Sequence, residues 1–158
     1  ASTLVIAMVM MFIGGGSGST AGGIKVSTAA LLVFAVRSAL FGRKRVTIGK
    51  KTVSSSTVLQ AAGLFITMLF IVLLSGIIIS EVDGVPLLSA LFETFSAAGT
   101  VGLTVGITPT LSAFSLWLLA TLMFFGRVGI LTIIFALSVK VKKNDELISY
   151  PETKYTVG

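Results

Sequence analysis

Residues Gly99-Thr100-Val101-Gly102-Leu103 lie between a short apolar segment and a long one. A Thr-Val-Gly core is a known way to surround a dehydrated potassium ion with backbone oxygen. The chemistry is specific. A cation stripped of water needs a ring of carbonyl groups in place of its hydration shell. Gly102 lets the backbone turn those oxygens toward an axis, because glycine reaches φ/ψ values closed to other residues. Read this way, the backbone of Thr100, Val101 and Gly102 would ligate K⁺, and the chain would form part of a cation pathway through a membrane. The plain alternative is an ordinary turn between a buried helix and a loop. The context favours the first reading: a short helix precedes, the exit Gly106-Ile107-Thr108-Pro109 follows, and then a spanning segment. A short helix descending from outside would aim the negative end of its dipole at the ion.

Two further elements carry potential chemistry. Gly14-Gly15-Gly16-Ser17-Gly18-Ser19-Thr20-Ala21-Gly22-Gly23 interrupts an apolar run. Its Gly16-x-Gly18-x-x-Ala21 spacing formally matches a dinucleotide fingerprint. The match is rejected, because no strand precedes it and no acid follows about 20 positions on. Gly23-Ile24-Lys25 likewise breaks a phosphate-binding loop. A helix kink or packing point is the bland reading. Irregular backbone at membrane depth, however, is tolerated only where it is buried in protein or lines water. The loop then reads as a flexible obstruction that moves aside. Arg127, within Phe124-Phe125-Gly126-Arg127-Val128-Gly129, is a charge in mid-span. Such a charge costs about 3 kcal/mol on insertion scales, so it faces a pathway or a partner by default. Snorkelling to the interface is the alternative. No carboxylate lies near Arg127 in sequence, so the carbonyls of loop 14–23 are its expected partners. Glu93, on the short helix before the turn, is expected either to support the filter as a hydrogen-bond acceptor or to face water.

Composition sets the frame for these elements. The chain has 158 residues, 54% of them hydrophobic and only 11% charged, and its mean hydropathy is +1.05. A soluble domain is about 25% charged, so the composition is that of a membrane protein. With no cysteine and no histidine, thiolate metal sites and the usual general base are missing. No catalytic set is apparent, and the chain is not expected to be an enzyme or to carry a covalent cofactor. The first residue has no basic flank and no cleavage site, so no signal peptide is expected. The chain opens inside an apolar run and reads as a piece of a longer protein.

The elements follow from the apolar pattern. Residues 1–13 and 24–41 flank the glycine-rich loop. As one straight helix, 1–41 would run roughly 60 Å, about twice a bilayer core, so two helical pieces are expected. Residues 57–80 read as a span, 87–98 as a re-entrant pore helix, and 111–139 as a second span crossed by Arg127. Trp117 and the many Phe residues read as lipid-facing or packing residues. The loop 42–52 holds Arg43, Lys44, Arg45, Lys50 and Lys51, and the tail holds Lys140, Lys142 and Lys143. The positive-inside rule places both in the cytoplasm and the acidic connection 81–86 outside. The parity works only if 87–98 dips and returns. The expected fold is an all-α membrane protein of helix–pore-loop–helix type, with a broken helix and an intramembrane loop. Its units are a broken helix over 1–41 with a gate loop at 14–23, a basic cytoplasmic loop over 42–56, a complete repeat over 57–140, and a cytoplasmic tail over 141–158. The alternative from another class is a non-conducting helical assembly subunit or permease half.

These motifs resemble one family. Phe12-Ile13 through Gly23-Ile24-Lys25 resembles the signature after the third pore loop of the Trk/Ktr/HKT cation transporters. Ser96-Ala97-Ala98-Gly99-Thr100-Val101-Gly102-Leu103 with Gly106-Ile107-Thr108-Pro109 resembles their fourth filter. The run Gly126-Arg127-Val128-Gly129 and the ending from Tyr150-Pro151-Glu152 to Val157-Gly158 are most similar to the bacterial potassium-uptake membrane subunits. The resemblance implies four helix–pore-loop–helix repeats around a central pathway, with this chain covering the second helix of repeat three and all of repeat four. It implies that Gly102 is the filter glycine, that 14–23 is the gate below the filter, and that Arg127 contacts that gate. It implies K⁺ as the transported ion, possible dependence on Na⁺, and a multi-pass location in the bacterial plasma membrane. Implied partners are the remaining repeats, a second copy in a homodimer, and a cytoplasmic nucleotide-binding regulatory subunit (KtrA-like) meeting the basic loop and the tail. Gly158 would lie near the dimer interface.

Overall fold

A computed structural model describes residues 2–16, 22–42, 46–48 and 51–128. The elements in chain order are α1 (Ser2–Phe12), α2 (Val26–Leu40), β1 (Val46–Ile48), β2 (Lys51–Val53), α3 (Ser55–Asp83), α4 (Leu87–Gly99), a 3-10 turn (Thr108–Thr110) and α5 (Ala113–Val128). The expected all-helical character therefore holds except for one short antiparallel hairpin, in which Val46 pairs with Val53 and Ile48 with Lys51. It occupies the basic segment 42–56, where the sequence predicts a loop. The region 129–158 lies outside the described residues. This includes the last part of the expected span to residue 139, the lysines of the tail and Gly158.

Local chemistry sets the helix ends. Ser54 caps α3 by accepting a hydrogen bond from the Thr57 N–H at 3.4 Å, the usual job of a hydroxyl at that position. Gly84 closes the same helix in the left-handed region, at φ +63°, and Pro86 two residues later prevents continuation. Proline then starts α4, where its missing N–H is no loss. Ser112 ties the entry to α5: its Oγ accepts from the Ser115 N–H at 3.4 Å, and its own N–H donates to Asp83 Oδ1 at 3.0 Å. The top of α3 is thus bonded to the start of α5.

Among the described residues one helix, α3, is long and apolar enough to cross a membrane. At 1.5 Å per residue its 29 residues extend about 44 Å, more than a hydrocarbon core. Its outward residues include Ile66 at 65% exposure and Phe70 at 63%, and on α5 Trp117 is 75% exposed. Large apolar side chains presented in this number fit a lipid or protein surround and fit water poorly.

The core is built on α4, whose residues Phe92 to Gly99 are all buried. One cluster joins Met8, Met11 and Phe12 of α1 to Met68 and Val72 of α3 and to Phe92 and Phe95 of α4. Phe12 meets both Phe65 and Phe95 edge-to-face, with ring centroids 5.5 Å apart in each case, a favoured aromatic geometry. A second cluster places Ala90 and Ala97 against Ile79 of α3 and Leu119 and Leu122 of α5. Small residues along α4 allow this close approach, which matters where lipid removes the hydrophobic drive between helices and leaves packing to hold them. A short helix wrapped on three sides is a core element here.

Candidate ion-pathway site

The chain leaves α4 through an unusual residue. Thr100 sits at φ 52° and ψ 38°, and it is the one non-glycine residue with positive φ among those described. A β-branched side chain is strained there. Two hydrogen bonds hold the turn: the Thr100 N–H donates to Ala97 O and the Val101 N–H to Ser96 O, each at 3.0 Å. Gly102 follows at φ +81°, where a Cβ would meet nothing within 4 Å. Glycine is therefore needed at 102 for backbone conformation and not for room. The next residues are exposed, Val101 by 44% and Leu103 by 54%.

Glu93 is 5% exposed and its carboxylate faces the segment that follows Gly102. Oε1 accepts from the Thr104 hydroxyl and, at 3.2 Å, from the Val105 N–H. Oε2 accepts from the Thr108 hydroxyl at 3.0 Å. The two threonine hydroxyls also lie 2.9 Å apart, and the Gly106 N–H donates to Thr104 Oγ1 at 2.9 Å. Burying a carboxylate is costly unless it is hydrogen-bonded, and these donors meet that need. The sequence reading did not single out Thr104. The signal available for it was a lone acid on an apolar helix followed, 11 and 15 residues later, by two hydroxyls four residues apart.

The glycine-rich segment comes to the same place. Ile13 and Ile24 form a parallel bridge, with the Gly14 N–H donating to Ile24 O at 2.8 Å and the Ile24 N–H to Phe12 O at 3.1 Å. The two edges of the loop, 12–15 and 22–26, are thereby paired. Gly22 is buried, and its N–H donates to Thr100 Oγ1 at 2.8 Å across 78 residues of chain. Ser17, Gly18, Ser19, Thr20 and Ala21 lie outside the described residues; among the described residues, the loop positions 14–16 and 22–23 make no hydrogen bond with Arg127.

Three backbones converge on the last residues of α4. A Cβ on Gly126 would lie 2.0 Å from Ala98 O, one on Gly99 would lie 2.5 Å from Met11 O, and one on Gly22 would lie 2.8 Å from the Thr100 side chain. Helices α1 and α5 and the loop edge can all reach this point because hydrogen atoms stand where side chains would be. Arg127, next to Gly126, is exposed. It lines a cleft of about 530 Å³ with Thr100, Gly102, Met123, Phe124 and Val128. The structure thus brings Gly99 to Leu103, Gly22 and Arg127 to one region. Glu93 sits behind it with the exit segment.

This is a helical membrane protein with irregular backbone gathered at the end of a buried short helix. A family model described as a cation transport protein, TrkH, matches residues 1–148, and the chain belongs to that family. The potassium/sodium uptake protein NtpJ of Enterococcus hirae is 37% identical over 159 residues, covering 98% of this chain and 35% of that protein. The Ktr system potassium uptake protein B of Bacillus subtilis is 37% identical over 156 residues, covering 99% of this chain and 34% of that protein. The protein of the same name in Vibrio alginolyticus is 36% identical over 155 residues. The chain spans about a third of the length of these curated relatives. By name they are potassium or potassium/sodium uptake proteins.

Proposed function

We propose that this chain supplies one of the four filter strands of a potassium-uptake pathway, Gly99 to Leu103, together with loop 14–23 as a gate beneath it. The observation that carries the reading is the shared cleft. The C-terminal end of α4 delivers Thr100 and Gly102 into a space also lined by Arg127, and Gly22 is hydrogen-bonded to Thr100. The end of α4 carries a partial negative charge from its backbone dipoles, which favours a cation there. The exposed stretch 101–106 is the edge that other repeats would complete into a ring. Glu93 supports the filter through the segment it grips. Transport is passive and inward, driven by about 2.3 kcal/mol per 100 mV of membrane potential for each cation. Uptake depends on Na⁺. The assembly is a homodimer in the bacterial plasma membrane. Its cytoplasmic face, including the basic segment 42–52, meets a KtrA-like nucleotide-binding subunit.

The filter is tested by Gly102→Ser in the complete transporter. A side chain at φ +81° forces the backbone away from the geometry that aims its carbonyls. The K⁺-over-Na⁺ uptake ratio is expected to fall about tenfold, a change of about 1.4 kcal/mol in relative ion stabilisation. An unchanged ratio overturns the filter assignment. The gate is tested by deleting part of 14–23 or by Arg127→Ala, each of which removes the obstruction or its charged neighbour. K⁺ flux is expected to rise severalfold at equal expression. Flux at or below the parent level rejects the gate.

A further inference from the structure

Resting on the filter reading above, we propose that Asp83 is a positioning residue for ion selectivity: from the end of α3 it fixes the far end of the segment that leaves the filter. That segment, residues 103–112, is held twice. Glu93 of α4 takes hold of Thr104, Val105 and Thr108. Further on, the Ser112 N–H donates to Asp83 Oδ1 at 3.0 Å. A carboxylate from each of two helices therefore grips the same stretch of chain, and Glu93 alone would leave its far end without a polar anchor.

Asp83 is itself held in place. It is the last residue of α3, and Gly84 turns the chain at φ +63°. The Ser80 hydroxyl closes that turn by donating to Val85 O at 2.8 Å. The charge suits the start of α5, where backbone N–H groups present the positive end of the helix dipole. The second carboxylate oxygen, Oδ2, is buried and has no hydrogen-bond partner among the described residues. A buried acceptor left unbonded costs stability, so Asp83 is not a solvated surface charge.

The piece between the two grips is stiff. The Thr110 N–H donates to Ile107 O at 2.9 Å and the Leu111 N–H to Thr108 O at 3.4 Å. The Thr110 hydroxyl donates to Ile107 O as well, at 2.7 Å. Pro109 fixes its own φ, and Leu111 is buried in the cluster that holds Ile79 and Leu119. Without Asp83 the turn pivots on Leu111. The displacement of Ser112 is handed to Thr108, and through Glu93 to the backbone that follows Gly102.

The K⁺-over-Na⁺ uptake ratio of the full-length transporter in membranes reads the effect, because a loss that only lowers the amount of folded protein leaves a ratio unchanged. Asp83→Ala is expected to lower the ratio about threefold, at the low end of couplings within one hydrogen-bond network. Asp83→Asn keeps an oxygen for the Ser112 N–H and is expected to keep most of the ratio. Ser112→Pro removes the donor and leaves Asp83 in place, with the same loss expected as for Asp83→Ala. Leu111, at φ −72° and ψ 148°, already has the conformation that a following proline needs, so this variant carries the comparison if Asp83→Ala does not fold. Thr108→Val cuts the link to Glu93, and in that background Asp83→Ala is expected to change the ratio little further. A parent ratio in Asp83→Ala or Ser112→Pro overturns the proposal. So does an Asp83→Asn protein as impaired as Asp83→Ala, which would make the charge and not the bond the cause. Fold-changes from Asp83→Ala and Thr108→Val that simply multiply overturn it too. If Gly102→Ser lowers the ratio and Asp83→Ala does not, Asp83 alone loses its role; if neither does, the filter reading falls with it.

Discussion

Gly126→Ala is expected to lower the stability of the full-length protein by about 1–3 kcal/mol, the range found when a side chain is forced into a well-packed site, and, on the function proposed above, to abolish most K⁺ uptake. The single added carbon would sit 2.0 Å from Ala98 O, and the atom it meets is backbone at the end of a buried helix. Neither partner can rotate away. α5 must move off α4 by more than an ångström, which opens the contacts of Leu119 and Leu122 with Ala97 and carries Arg127 away from Thr100. Gly63→Ala is the control. It lies on the exposed side of α3, where a Cβ meets nothing within 4 Å. Alanine favours a helix over glycine by about 1 kcal/mol, so Gly63→Ala is expected to be neutral or stabilising. Thermal unfolding of the two variants side by side, with uptake assayed in a potassium-requiring host, decides the matter. Equal behaviour of the pair would show that the crossing of α4 and α5 has slack and is not set by Gly126.

Glu93→Ala is expected to cost at least about 3 kcal/mol and to reduce K⁺-over-Na⁺ discrimination at least tenfold, because hydrogen bonds to a charged group contribute roughly 1.5–3 kcal/mol each. The carboxylate gathers the Thr104 and Thr108 hydroxyls and the Val105 N–H. Without it the two hydroxyls can still bond each other, but the Val105 N–H loses its acceptor and the segment after Gly102 loses its tether. Glu93→Gln keeps an amide oxygen for one donor and is expected to fall between alanine and the parent in both measurements. A Glu93→Ala protein with the parent unfolding temperature and the parent ion preference would leave these bonds without a role in selectivity.

Much of the architecture follows from local chemistry and was legible. The glycine-rich interruption does divide the first apolar run, into α1 and α2, since six glycines in ten residues cannot sustain a helix against their entropy cost. Pro86 and Gly84 separate α3 from α4 by rules that act within a few residues. The hairpin at Val46–Val53 was not anticipated, because a run of basic residues describes charge and membrane side and leaves backbone pairing open. Arg127 and loop 14–23 stood out because a charge and irregular backbone are both anomalous in an apolar segment. Glu93 stood out for the same reason, yet its partners did not.

By itself, the sequence determined the membrane setting, the order of the helices and their breaks, and the identity of the unusual residues, all of which depend on composition or on neighbours a few positions apart. Only the tertiary structure decided that Gly22 bonds to Thr100, that Gly126 opens onto Ala98, that Gly99 opens onto Met11, and that Glu93 grips Thr104 and Thr108. The physical reason is distance along the chain. Gly22 and Thr100 are separated by 78 positions, and a glycine chosen for a close approach looks, in sequence, like a glycine chosen for a turn. Which one it is depends on the backbone that arrives from elsewhere.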